Sequence, residues 1–494
     1  MIPLEFSVRP DIRKSSRARG SALVFVLVLT TIAAILFSGV VSFVVSHLQY
    51  GLFVASREQS LQIAESGAHF YRWYIAHELD GKNTEQINAF WQSTSPAPLG
   101  VGSDYEDDFE GLGRYRITVT PPAANSTIFT IESTGWTYKY PSHARTIRVR
   151  FRRPSWSEYM ILGDDPFRLG SSTEIFGPMH GNGGIRFDGV AHNVVSAGVS
   201  CYDDPDTTIV NSCERPGVWA GDWSGSEYNS VLKSPVFLGG KNFPVANINF
   251  NSVTADLSYM KDVSRNSGSD ADYYGPSGEY GYEVEFKPTG YTITKVKQIT
   301  SSENSIKELD NGTAVSKSYP SKGLIFVEDN VWFDGKGVSG AVGGSDTFDA
   351  ERMTLVAADL AYGTDPNMYI INGTTYKHGG SGTEAIGFIA EGSIDFPADS
   401  ANNLTINGAL LAQKGSIRRG DVSNSCYGTV KDSISIFGAI ASKGRLYFGC
   451  VNSSGDTIGG YRNRELHFDE NLSISPPPYF PTGKQYLIDL WEEL

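Results

Sequence analysis

The sequence predicts an α+β chain: one very long N-terminal helix with a small antiparallel meander, then a large β domain built as a parallel β-helix, a solenoid. Three observations predict it. An apolar run passes without a proline into an amphipathic one, strict polar–apolar alternation follows between residues 114 and 152, and short glycine-led apolar phrases then recur. The expected units are a basic leader at 1–20, the helix at 21–82, the antiparallel β unit at 83–154 and the solenoid-like domain at 155–494.

From Ser21 to Val45 there are 25 residues with neither a charge nor a proline. At about 1.5 Å per residue, that run crosses a hydrocarbon core about 30 Å thick. Ahead of it stand Arg9, Arg13, Lys14, Arg17 and Arg19 against Glu5 and Asp11, so the leader stays cytoplasmic and the rest is exported. A secretory signal has an apolar core of only about 7–15 residues and a small-residue cleavage site. Ser46, His47, Leu48 and Gln49 supply no such site. No proline falls between Pro10 and Pro96, and Ala64, Ala68, Tyr71, Ile75 and Leu79 recur at helical spacing. Glu58, Gln62, Glu65 and His69 lie elsewhere on the wheel. A helix of about 55 residues is expected, apolar in its first half and amphipathic in its second.

Two stretches of this segment, Arg19-Gly20-Ser21-Ala22-Leu23-Val24 and Glu65-Ser66-Gly67-Ala68, resemble the type IV prepilins, and the minor pilins among them. The resemblance implies that a prepilin peptidase cuts after Gly20 and that Ser21 becomes the first residue, N-methylated. It also implies that the helix enters the core of a filament beside other pilin subunits. One position departs: major pilins carry a glutamate at the fifth mature residue, where this chain has Phe25. An uncleaved signal anchor is the alternative for the same residues.

Next, residues 114–120, 126–135 and 144–152 alternate polar with apolar, separated by turn-formers at 121–125 and 140–143. They predict a meander whose one buried face packs on the amphipathic half of the helix. A helix laid on a meander is also what the pilin resemblance implies. Arg145, Arg148, Arg150 and Arg152 fall on the outward face, either as a phosphate or glycan patch or as a solvated strand surface.

From residue 155 the phrases at 323–333, 387–396, 408–417 and 438–448, with a weaker copy at 177–187, each read as strand, glycine- or asparagine-bearing turn, strand. Ala390 to Ala412 spans 22 residues and Ala412 to Ala441 spans 29, the excess being the excursion around Cys426. Such repeats predict stacked coils burying one apolar column, with a β-sandwich as the alternative. A helix at Val253 to Asp262, capped by Asn251 or Ser252, and a hairpin pairing 282–286 with 291–296 interrupt them. The C-terminal stretch, Pro476-Pro477-Pro478-Tyr479-Phe480-Pro481 and then residues 486–494, is expected not to continue a sheet. It would instead form a strap laid back over the solenoid or stalk, or a docking tail for another subunit.

The net charge of -14, despite the basic leader, disfavours nucleic acid as a surface partner. In an exported chain Cys201 with Cys213 and Cys426 with Cys450 suggest two local disulfides. Free thiols or a zinc site are the rivals, although no pair has metal-ligand spacing. No nucleophile, zinc-protease or phosphate-loop motif is present, no cofactor motif appears, and the eight histidines form no sequence cluster. The acids at 164–165, at Asp203, Asp204 and Asp206, and at 270–272 are candidates for a glycan-active carboxylate pair or a calcium loop, Asp203, Asp204 and Asp206 being the metal candidates.

These expectations add up to a non-enzymatic, minor pilin-like protein of the cytoplasmic membrane and cell surface. Its head would serve adhesion, toward a surface glycan or protein, or pilus priming. A membrane-anchored adhesin that never polymerises and a glycan-active β-helix are the alternatives.

Overall fold

The structure is a computed structural model and describes all residues except 1–18, 83, 124–125, 206–212, 222–227, 230–233, 251–252, 301–302, 336–351, 361–362, 364, 420–428, 452–455 and 484. With no proline to stop it, the N-terminal segment forms α1, Arg19–Glu78, a single helix of 60 residues. At about 1.5 Å per residue it is about 90 Å long. A short helix that the pattern did not announce, α2 (Thr84–Gln92), follows and buries Ile87 and Trp91.

Four strands then run antiparallel in order: β1 Tyr105–Phe109, β2 Gly113–Thr120, β3 Ile128–Thr137 and β4 Arg145–Arg152. Their alternation turns Tyr115, Ile117, Val119, Phe129, Ile131, Ile147, Val149 and Phe151 onto Ile63, Ala64, Ala68, Tyr71 and Ile75 of α1, as the pattern predicts. The helix and β3 approach very closely. A Cβ at Gly135 would stand 2.3 Å from the Ala64 nitrogen and the Ser60 oxygen, so only glycine permits the contact. Beside it the Ser133 hydroxyl donates to the Ala64 carbonyl at 2.7 Å.

The tail corrects one expectation. The proline-rich part is a strap: Arg352 donates to the Ser475 carbonyl at 2.9 Å and to that of Pro476, the Thr354 hydroxyl donates to the Pro478 carbonyl, and Phe480 is buried. Beyond it, Leu487–Glu493 does continue a sheet. It pairs antiparallel with β4 as a fifth strand. The stretch expected to end the 155–494 unit therefore completes the sheet that begins at residue 105. The physical reason is charge: the outward arginines of β4 meet the tail's acids, Arg148 with Glu492 at 2.8 Å, Arg150 with Asp489 at 2.7 Å, and Arg145 with Glu493.

The β domain between them, the head, is a set of parallel ladders. In the first, neighbouring strands run Lys241–Asn242, Val195–Ala197, Met179–Gly181, Ile161–Gly163, Val430–Ser442, Asn403–Ala412, Ala385–Ala390, Arg352–Ala357, Leu324–Val327 and Asp272–Tyr274. The chain enters this ladder in the middle, at Ile161, and winds outward to Asn242. It crosses to the far end through a helix, α3 (Val253–Asn266), then winds back until Ile440 pairs with Ile161. A second parallel ladder takes the strand after each turn: Gly281–Lys287, Val331–Asp334, Met368–Asn372, Ile394–Asp395, Ile417–Arg418 and Leu446–Tyr447. Thr457–Phe468 lies parallel to both Val430–Gly438 and Thr173–Phe176 on a further side.

One sequence alignment of the repeats shifts by a residue. Gly408 pairs with Gly438 and Ala412 with Ser442, so Ala441 faces Leu411 rather than Ala412. A one-residue slip exchanges inward for outward positions. Gly438, at φ +159°, turns the corner where a Cβ would lie 1.8 Å from the Gly408 oxygen.

The inward side chains of the first ladder, such as Ile161, Leu355, Phe388, Leu410 and Ile440, form the main core. Its outward ones, such as Phe326, Val356, Ile389 and Leu411, are covered by Leu257, Met260 and Val263 of α3, by Trp156 and by Phe480 of the strap. The helix expected at 253–262 runs to Asn266, and its expected caps, Asn251 and Ser252, lie outside the described residues. The expected hairpin forms with Phe286 opposite Tyr291 and gains a third strand, Ile306–Ser318.

Candidate functional site

From Leu23 to Val54 every residue of the helix is exposed. Leu23 is 69%, Phe25 68% and Phe37 71% exposed, while Ser56 and Ser60 are already buried against the sheet. Burying a large apolar side chain is worth about 1.5–3 kcal/mol. So long a run therefore needs an apolar surrounding by tens of kcal/mol. Among the described residues it is the one helix long and apolar enough to cross a membrane. Where it leaves the sheet it carries a small collar. His143 packs edge-on against Phe53 at 4.8 Å and stacks on Tyr140 at 5.3 Å, its Nδ1 is hydrogen-bonded to the Ser56 hydroxyl, and Arg57 lies 5.6 Å over Phe53.

Gly20 and Ser21 fall in the first turn of α1. The basic residues at 9, 13, 14 and 17 lie outside the described residues. Cys201 and Cys213 are bonded to each other across 12 positions. Cys450 is also in a disulfide, and its expected partner Cys426 lies outside the described residues.

Among the described residues the acidic candidates do not converge. Asp203 accepts the Cys213 N–H at 2.9 Å, Asp204 is buried 4.0 Å from Arg186, and Asp206 lies outside the described residues. Asp164 accepts from the Asn182 amide at 2.7 Å, and burial together with Asp164 pushes the Asp165 carboxyl above its ordinary range. Asp272 accepts from Tyr291 at 2.6 Å and from Lys317 at 2.6 Å. Among the described residues no three His, Cys, Asp or Glu side chains are grouped to hold a metal. His180 is buried between Ser196 and Asn182, and burial lowers its pKa. His192 and His467 stack on the two sides of Phe176 at 4.1 and 4.5 Å.

The repeats gave no warning of a cleft at the seam where early and late strands of the head meet. It measures about 450 Å³ and is lined by Arg168, Leu169, Arg445, Leu446, Phe448 and Arg464. Arg464 is 6% exposed. It donates from Nε to the Thr173 hydroxyl at 3.0 Å, from Nη1 to the Tyr461 carbonyl at 2.9 Å, and from Nη2 to the Ser172 hydroxyl. All three acceptors are neutral. Burial alone pulls its pKa down to about 10.

No protein-family model matches the chain, and no curated protein does. Among solved structures it is similar to the crystal structure of the competence-associated pilin ComZ from Thermus thermophilus, at 13% identity and a TM-score of 0.27, over 89% of this chain and 98% of that one. A TM-score that low assigns no fold. The chain's own build is a half-exposed helix packed on an antiparallel sheet ahead of a large β domain.

Proposed function

We propose that this chain is a minor pilin-like subunit, cut after Gly20 and N-methylated at Ser21. Its apolar helix lies first in the cytoplasmic membrane and then among other pilin helices, with the head displayed at the cell surface. The observation that carries the reading is α1 itself, bare over Leu23–Val54 and buried on the sheet from Ser56 onward. Such a helix suits both a bilayer and a bundle of like helices. We read the head as a β-solenoid, supported by two parallel ladders that take alternate strands. Bulk argues for a tip or priming position, since so large a head cannot repeat along a tightly packed filament. Its role is binding rather than turnover, a reading supported by the separate local contacts that engage Asp203, Asp164 and Asp272 among the described candidates.

A non-polymerising, membrane-anchored adhesin is favoured by one observation, Phe25 at the fifth mature position. Shearing separates the two readings. A pilus subunit appears in the sheared filament fraction and stays in the membrane when Gly20→Leu blocks cutting. An anchor stays in the membrane in both strains.

A further inference from the structure

We propose that the seam cleft binds an acidic sugar unit, a hexuronic acid of a surface glycan, with its carboxylate on the Arg464 guanidinium. This rests on the adhesion reading of the head. A buried guanidinium is stabilised by a carboxylate or phosphate that matches its planar fork of donors. Among the described residues Arg464 has no ion pair, and its three hydrogen bonds go to two hydroxyls and one carbonyl, so N–H groups are left for a ligand. Leaving a buried charge uncompensated is costly, which makes an anion the natural occupant.

The surroundings favour a sugar acid over a bare anion. Leu169, Leu446 and Phe448 give the cleft an apolar floor, each of them buried, and a volume of about 450 Å³ is within the range of small-molecule sites. Arg168, paired with Asp188 at 3.2 Å, also lines the cleft. Gly170 leaves the entrance open: a Cβ there would meet only Arg464 Nη2, at 3.7 Å. The two halves of the cleft lie almost 300 residues apart in sequence and meet because Ile440 pairs with Ile161.

The test titrates the full chain in detergent micelles with methyl β-D-glucuronide and with methyl β-D-glucoside, which differ at the carboxylate. The glucuronide is expected to bind at least tenfold more tightly. Arg464→Met should abolish that preference. Should it fail to fold, Gly170→Phe, whose side chain starts 3.7 Å from Arg464 Nη2, fills the cleft and should abolish binding too. Equal binding of the two glycosides, displacement by acetate or phosphate at matched ionic strength as good as by glucuronide, or unchanged binding in Gly170→Phe would each overturn the proposal.

Cell attachment keeps the two readings apart. Purified protein that binds glucuronide, from cells that attach equally with and without the chain, keeps the cleft and removes adhesion. Protein that binds neither glycoside removes the cleft, whatever the cells do.

Discussion

In the sheet that carries α1, strands β2, β3 and β4 have one face on the helix and the other toward solvent, whereas the central strands of the head's first ladder are buried on both faces. Strand β2 therefore alternates buried and exposed residues along its whole length, while Ala385–Ala390 is buried at every position. The two regions also close differently. The antiparallel sheet is completed by a strand from the far end of the chain, held by ion pairs at its surface. The parallel ladder is completed where its last long strand meets its first, by apolar contact between Ile440 and Ile161. One junction is electrostatic and edge-on, the other hydrophobic and internal, and the two should fail under different conditions.

The largest effect is expected inside the head. Phe388→Ala empties a fully buried site facing Phe333 at 4.7 Å and should cost about 3–5 kcal/mol of head stability in a denaturant titration. A loss below about 1.5 kcal/mol would mean that the column is loosely packed. Deleting residues 487–494 should come next. It strips β4 of its ladder partner and should destabilise the antiparallel sheet by about 2–3 kcal/mol, at net hydrogen-bond values near 1 kcal/mol offset by regained chain entropy. The head should keep its own transition, and a drop of the same size there would show that the strap, not the strand, is what matters.

The pH dependence belongs to the head. Burial, with Asp334 and Glu285 adding, pushes the Glu283 carboxyl from 4.5 up to about 7, and burial pushes Asp469 from 3.8 up to about 6. Both hold their protons more tightly folded than unfolded. The folded state thus binds more protons across roughly pH 4 to 7, and stability falls as pH rises through that window. With solvent screening the Glu283 share is about 1 kcal/mol. Glu283→Gln should flatten that part of the pH profile, and a profile unchanged by it would reject the assignment. The smallest effect is Arg148→Ala, a slight loss on the antiparallel sheet that shrinks with salt.

The same contrast explains what the sequence made legible. One-sided burial writes a period of two into residues 113–152, and one-sided packing writes a helical period into Ala64, Ala68, Tyr71 and Ile75, so both elements could be placed from the pattern. Burial on both faces erases that period. The head's phrases could be found by their glycines, yet their register slipped by one at Ala441, because nothing in an all-apolar strand marks inside from outside. The mid-ladder entry at Ile161 left no trace, since it depends on which distant strands pair. The tail strand was masked by its prolines and by apolar residues that remain exposed, Leu487 and Trp491 among them. Nothing in the sequence singles out Arg464, whose setting depends on its strand meeting Ser172 and Thr173. Charge did carry the signal for the tail, in the matched spacing of β4 arginines and tail acids.

The mass of the mature chain, taken from membranes or sheared filaments of cells that make it, tests the central claim most directly. The account predicts a chain that begins at Ser21 and carries one added methyl group on its amine. A chain that still begins at Met1 or Ile2 would contradict it, and would leave α1 as a permanent anchor rather than the shaft of a filament subunit.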